Sequence, residues 1–278
     1  MFEAPKTPAV SAEAESNPLS PALASRLRGL TSARIALRRS GVSLATSEVL
    51  DFQLAHGRAR DAVHLPLQPA ALFSALRKIA DSDPLLLHSA ADDRPTYLKR
   101  PDLGRKLNEA SRKRLETLAN NPCDLAIILA DGLSALAVER QAEPLLAELL
   151  PMLKQAAPGI KLAPICVVEQ GRVAVGDEVA QLLSAELAIM LIGERPGLSS
   201  PDSLGAYITW QPQPGRTTDA ERNCISNIRP EGLSYAQAAA RLLHYIRAAR
   251  DKRQTGIALK DPEAPILALG AENPGEPQ

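Results

Sequence analysis

The sequence predicts an α/β protein: a Rossmann-like, mostly parallel sheet with flanking helices, preceded by a small helical N-terminal region. Two observations carry most of the weight. Leu125 to Ala130 (LAIILA) and Leu187 to Ile192 (LAIMLI) are short, almost wholly apolar runs, the pattern of strands covered on both faces. A third lies between them, where helix-like stretches flank another strand-like run, Ile165 to Val168 (ICVV). Strand, helix, strand, helix, strand is the order of a parallel sheet wrapped by helices.

Residues 1–20 (MFEAPKTPAVSAEAESNPLS) offer almost nothing to bury and are expected to be disordered. Residues 21–104 are read as a helical region and linker. Leu19, Leu23, Leu27 and Leu30 recur at helical spacing, and the spacing from Ser32 to Lys78 is mostly helix-compatible. Pro84, Pro95 and Pro101 then break 81–104 into a joining segment.

The α/β domain is expected over 105–260. A helix starts near Asp102 and runs through Leu107, Leu115 and Leu118. The first apolar strand ends at Asp131-Gly132, before the helix-like SALAVERQ. Pro144 suits a first helical turn, so a separate helix is expected from there, carrying Leu145 to Leu153 and stopping at Pro158-Gly159. After ICVV and a turn at Gln170-Gly171, DEVAQLL gives another helix. Ala206 to Trp210 is a further strand, and 212–227 (PQPGRTTDAERNCISN) reads as a long polar loop, of a length that is often functional. Ser234 and Gln237 have capping-box spacing ahead of an apolar face of Ala239, Leu242, Leu243 and Ile246. The tail 261–278, with four prolines, is expected to be disordered.

Of the 278 residues, 45% are hydrophobic, enough for a sizeable core, and 32 Lys plus Arg balance 32 Asp plus Glu. That balance gives no basic field for nucleic acid or an anionic membrane. No apolar run approaches a membrane span and the first residues lack a secretory pattern, so a cytosolic protein is expected. Cys123, Cys166 and Cys224 are too few and too scattered for a disulfide framework, and the four histidines form no zinc-ligand spacing. No metal bound directly by this chain is expected.

In open parallel sheets ligands bind beyond the carboxyl ends of the strands. Three loops qualify: Asp131 to Ser134, Gly171 to Val173, and Gly193 to Gly197. The first has neither GxGxxG nor GxxxxGK[ST], and Asp131 and Ser134 read as helix caps. The third places Glu194 and Arg195 directly after a buried strand, which is equally the composition of an ordinary turn with an internal ion pair. Cys224 has no adjacent His, favouring a packed or ligand-contacting thiol over a nucleophile.

Several stretches in one order carry a resemblance: ARIALRRSG (Ala33 to Gly41), YLKRPDLGR (Tyr97 to Arg105), DGLS (Asp131 to Ser134), GRV (Gly171 to Val173), GERPGLSSPDSLGAY (Gly193 to Tyr207) and TTDAERNCISNIRPEGL (Thr217 to Leu233). Over roughly 30–260 the chain resembles the small subunit of ethanolamine ammonia-lyase. The resemblance implies a partner, a large subunit built as a TIM barrel, in an assembly of six large and six small subunits. It implies conversion of ethanolamine to acetaldehyde and ammonia, begun by homolysis of the cobalt–carbon bond of adenosylcobalamin, with catalytic residues on the large subunit. It also implies that Val173, Glu194 and Cys224 contact the cobalamin. No His has Asp two residues before and Gly three after, so the DxHxxG motif is absent and base-on binding is expected. The two ends match nothing in the family, which leaves encapsulation in a bacterial microcompartment open. Two rivals also stay open: a free-standing nucleotide-binding α/β protein, and an assembly subunit without ligand contact.

Overall fold

The computed structural model describes residues 20–118 and 122–259, so the expected disorder of 1–19 and of the tail lies outside the described residues. The chain divides into two compact units between Leu54 and Ala55.

In the first unit, α1 (Pro21–Gly29) begins on Ser20, whose hydroxyl accepts from the Leu23 N–H at 3.3 Å, with Pro21 in the first turn. A two-stranded hairpin follows, β1 (Arg39–Ser40) and β2 (Ser43–Leu44), turning through Gly41 at φ +58°. The helix α2 (Thr46–His64) starts here, and Arg28 and Arg38 both approach Glu48, at 3.9 and 3.5 Å.

The second unit holds α3 (Pro69–Leu76), β3 (Leu85–His88), α4 (Arg94–Lys99), a 3-10 turn (Leu103–Arg105) and α5 (Glu109–Glu116). There follow β4 (Cys123–Ala130), α6 (Ala135–Ala156), β5 (Cys166–Glu169), α7 (Val175–Leu182) and β6 (Ala185–Gly193). The unit ends with β7 (Leu204–Trp210), β8 (Arg222–Ile228) and α8 (Tyr235–Lys252). One sheet runs in the order β3-β5-β4-β6-β7-β8. The first four strands are parallel, while β7 is antiparallel to β6 and β8 to β7. The α/β class with a mostly parallel sheet is therefore observed.

Alternation along the strands sends side chains to two cores. Leu125, Ile127 and Leu129 of β4 pack with Ile189 and Leu191 of β6 under α6 and α8. Ala126, Ile128, Ala130 and Met190 pack on the other face under α5 and α7. This burial on both sides is why β4 and β6 read as continuous apolar runs. Leu145, Leu146, Leu149 and Leu153 are fully buried on one stripe of α6, each contributing about 1.5–3 kcal/mol relative to exposure.

Four expectations change. The segment 81–104 is more than a connection: Leu85–His88 pairs in parallel with Cys166–Glu169 as an edge strand of the sheet. The helix expected from Asp102 is a single 3-10 turn there, and α5 begins at Glu109, where the Asn108 side chain accepts from the Ser111 N–H at 2.8 Å. The two helices expected around Pro144 are one, α6, with Pro144 and Pro151 inside it. Each proline removes one backbone bond, and buried residues on both sides of Pro144, Val138 and Ala142 before it and the leucine stripe after it, hold the helix to the sheet regardless. Finally, the polar loop expected over 212–227 ends in a strand, β8, three of whose seven residues face solvent. Among the described residues no helix is long and apolar enough to cross a membrane.

Candidate functional site

The four parallel strands end at His88, Ala130, Glu169 and Gly193, and the loops beyond β4, β5 and β6 converge as expected. Their anchor is Asp131. It is 1% exposed, and its two carboxylate oxygens accept the N–H groups of Gln170 and Gly171, each at 3.0 Å. That holds the turn leading into Arg172 and Val173, whose first residue, Gln170, sits at φ +55°. Burial pushes the Asp131 carboxyl up to about 6, with Arg94 and the backbone donors opposing. Asp131 is thus no helix cap. Ser134 is one: its hydroxyl accepts from the Ala137 N–H and donates to Pro201 O at 2.8 Å.

The neighbouring Gly132, at φ +54°, lies against the Gly193 carbonyl, and the Leu133 N–H donates to that carbonyl at 2.9 Å. A side chain at Gly132 would strike it, which ties the first loop closely to the one carrying Glu194.

Beneath the turn, Arg94 is 8% exposed. It donates to Gly132 O at 2.8 Å and Val63 O at 2.7 Å, and lies 3.4 Å from Asp131. Tyr97 is fully buried between two guanidinium groups, Arg94 at 4.8 Å and Arg172 at 4.3 Å from the ring centre, and donates its hydroxyl to Gly171 O at 3.1 Å. Such stacking favours Arg over Lys.

Above this base lies an open concavity of about 430 Å³, lined by Leu133, Arg172, Val173, Ile192, Glu194 and Tyr207 among others. Val173 and Glu194 therefore share one hollow. Glu194 is half-buried, and its Oε2 accepts from the Ser203 hydroxyl and, at 3.2 Å, from the Asn227 N–H. Asn227, at φ +60°, lies where the register between β7 and β8 shifts, and that irregularity aims its N–H at Glu194. Glu194 Oε1 accepts no hydrogen bond among the described residues. No Glu194–Arg195 ion pair forms either, and Arg195 is exposed.

Cys224 does not line the hollow itself. It is exposed on β8 directly opposite Tyr207, whose hydroxyl burial and the Cys224 thiol push up to about 12. Met190, Tyr207 and Cys224 form a row across β6, β7 and β8 on the side of α7. The three expected residues thus lie along one ledge, Val173 and Glu194 in its hollow and Cys224 at its rim. Sequence reasoning missed Arg94, Tyr97, Asp177 and Arg222. The first two stand in or next to YLKRPDLGR, and Arg222 stands within TTDAERN, but nothing in the sequence names partners tens of residues away. Among the described residues no cluster of His, Cys, Asp and Glu suits a metal ion.

The fold and site define an α/β protein with an open, amphipathic ledge at the carboxyl edge of its sheet. The family model of the ethanolamine ammonia-lyase light chain matches residues 22–260. The chain is 58% identical over 250 residues to an ethanolamine ammonia-lyase small subunit of Pseudomonas putida (strain W619), covering 89% of this chain and 90% of that one. It is 57% identical over 251 residues to one of Pseudomonas aeruginosa (strain LESB58), covering 89% and 90%, and 57% identical over 253 residues to one of Azotobacter vinelandii (strain DJ / ATCC BAA-1303), covering 90% and 92%. The chain belongs to the ethanolamine ammonia-lyase light chain family.

Proposed function

We propose that this chain is the small subunit of an adenosylcobalamin-dependent ethanolamine ammonia-lyase and that its ledge forms one wall of the cobalamin site, facing a large subunit. The observation that carries the reading is the convergence of Val173, Glu194 and Cys224, from a turn, a loop and a strand, on one side of the sheet. The small-subunit name of the relatives points to a larger partner.

The residues suit the cofactor. Val173, Leu133, Ile192 and the Tyr207 ring offer apolar surface to a broad flat ligand, and Glu194 Oε1 offers an acceptor for amide groups on its rim. A hollow of about 430 Å³ is smaller than a cobalamin, so the remainder must be covered from outside the chain. When bound, adenosylcobalamin supplies the radical that abstracts hydrogen from ethanolamine. This chain's own part is to bind and orient: Asp131 and Tyr97 fix the turn under Val173, and Ser203 and Asn227 fix the Glu194 carboxylate. The hydrogen-handling groups belong to the large subunit, in an assembly of six of each, and the Rossmann-like description of the domain belongs to the same reading.

The test is hydroxocobalamin affinity of the complex assembled from this chain and its large subunit. Glu194→Gln and Val173→Ala are each expected to weaken it by roughly tenfold, the loss of about 1.4 kcal/mol of contact. Unchanged affinity in both would overturn the reading in favour of an assembly subunit without ligand contact.

A further inference from the structure

Val173 and Cys224 belong to different elements, which the sheet joins indirectly, through α7 on β6 and the ladder from β6 to β8. Val173 lies two residues ahead of α7, a helix of eight residues. Cys224 lies on β8, which is hydrogen-bonded to β7 along one edge and is last in the sheet order. A ligand that touches both needs them held at one distance.

One buried ion pair spans that gap. Asp177 is in the first turn of α7, four residues after Val173, whose carbonyl accepts the Gly176 N–H at 3.1 Å. Arg222 is two residues before Cys224 on β8, which puts it on the same face of the strand. The guanidinium meets the carboxylate as a two-pronged fork, with Nη1 to Oδ1 and Nη2 to Oδ2 both at 2.7 Å. The side chains are 4% and 2% exposed. Nη1 also donates to Thr209 Oγ1 at 3.0 Å, on the residue of β7 paired with Arg222, so α7, β7 and β8 meet at one group.

Stability alone is a poor reason for this arrangement, because desolvation of a buried pair offsets much of its attraction and apolar side chains would fill the space as well. What a planar fork adds is orientation, which an ammonium group cannot reproduce. The geometry assigns Asp177 and Arg222 as the positioning pair of the site: they set the distance between the Val173 turn and the Cys224 strand. The assignment rests on the proposed cobalamin wall. Neither residue touches the ligand.

The experiment uses Asp177→Asn and Arg222→Lys in the complex with the large subunit. Two quantities are read: the Kd for hydroxocobalamin, and the rate at which Cys224 is alkylated, resolved by peptide mass, with and without hydroxocobalamin. Each variant is expected to weaken binding by about tenfold, the scale for loss of a group that orients a binding residue, and to lose the protection that cobalamin gives Cys224. Tyr235→Phe, which removes a hydrogen bond to Gln141 on the opposite side of the sheet, controls for general loosening and is expected to leave both quantities unchanged. If Glu194→Gln weakens binding while both pair variants, folded by circular dichroism, keep the wild-type Kd and protection, the positioning role is overturned and the cobalamin wall stands. If the wild-type complex binds no cobalamin, both fall. Should either variant not fold, the neutral hydrogen-bonding pair Asp177→Asn with Arg222→Gln decides by the same two readouts.

Discussion

Replacing Asp131 by Asn tests the anchor of the ledge without changing its shape. The carboxylate accepts two backbone N–H groups at 3.0 Å and faces Arg94 at 3.4 Å, all within the protein. An amide oxygen can accept one of the two N–H groups. Its NH₂ then confronts the other donor, and Arg94 loses its counter-charge. An orphaned buried donor costs about 1–3 kcal/mol and a broken buried pair about 3–5 kcal/mol; because both describe one carboxylate, they overlap and the total is about 3–5 kcal/mol. For a domain of this size that lowers Tm by roughly 6–20 °C. Thermal unfolding followed by circular dichroism at pH 7.5 reads it, and a Tm within about 2 °C of wild type would refute the reasoning. The pH dependence carries a second sign. Burial raises the folded-state value from 3.8 to about 6, so between those limits the folded chain holds the proton more tightly than the unfolded one. This residue's contribution to stability therefore falls as pH rises from 4 to 6, and Asp131→Asn is expected to remove that slope.

Gly132→Ala puts a methyl group against the Gly193 carbonyl at a left-handed residue, with an expected loss of about 2–4 kcal/mol measured by urea unfolding. Leu149→Ala, in the fully buried stripe of α6, is expected to lose about 2–5 kcal/mol by the same measurement while leaving cobalamin affinity of the folded complex unchanged. Tyr97→Phe removes the bond to Gly171 O but keeps the ring between Arg94 and Arg172, so a loss of about 1 kcal/mol is expected in thermal unfolding.

The strands that were legible are those buried on both faces. LAIILA and LAIMLI admit no polar residue because helices cover them from each side, and that is a one-dimensional signal. β8 was not legible because RNCISNI is an edge strand whose polar residues make an ion pair, a backbone contact and a solvent face. β3 was hidden among prolines that lie just outside the strand. Pro144 misled because its local effect is real, but the leucine stripe that outweighs it acts through the sheet. Within the site, the carboxyl-end rule picks out the loops that carry Val173 and Glu194, and the length of 212–227 picks out the stretch that carries Cys224; the choice of these three residues comes from the resemblance. The groups that hold them, Arg94 to Asp131 and Asp177 to Arg222, are 37 and 45 residues apart, and no local pattern encodes such pairings.

The central claim is that this chain contributes a wall of a cobalamin site and needs a large subunit for turnover. Ammonia release from ethanolamine with added adenosylcobalamin, measured for this chain alone, for the large subunit alone and for the co-expressed pair, tests it most directly. The account predicts release by the pair and none by this chain alone. Turnover of ethanolamine by this chain alone, or a co-expressed pair that is inactive and binds no cobalamin, would contradict it.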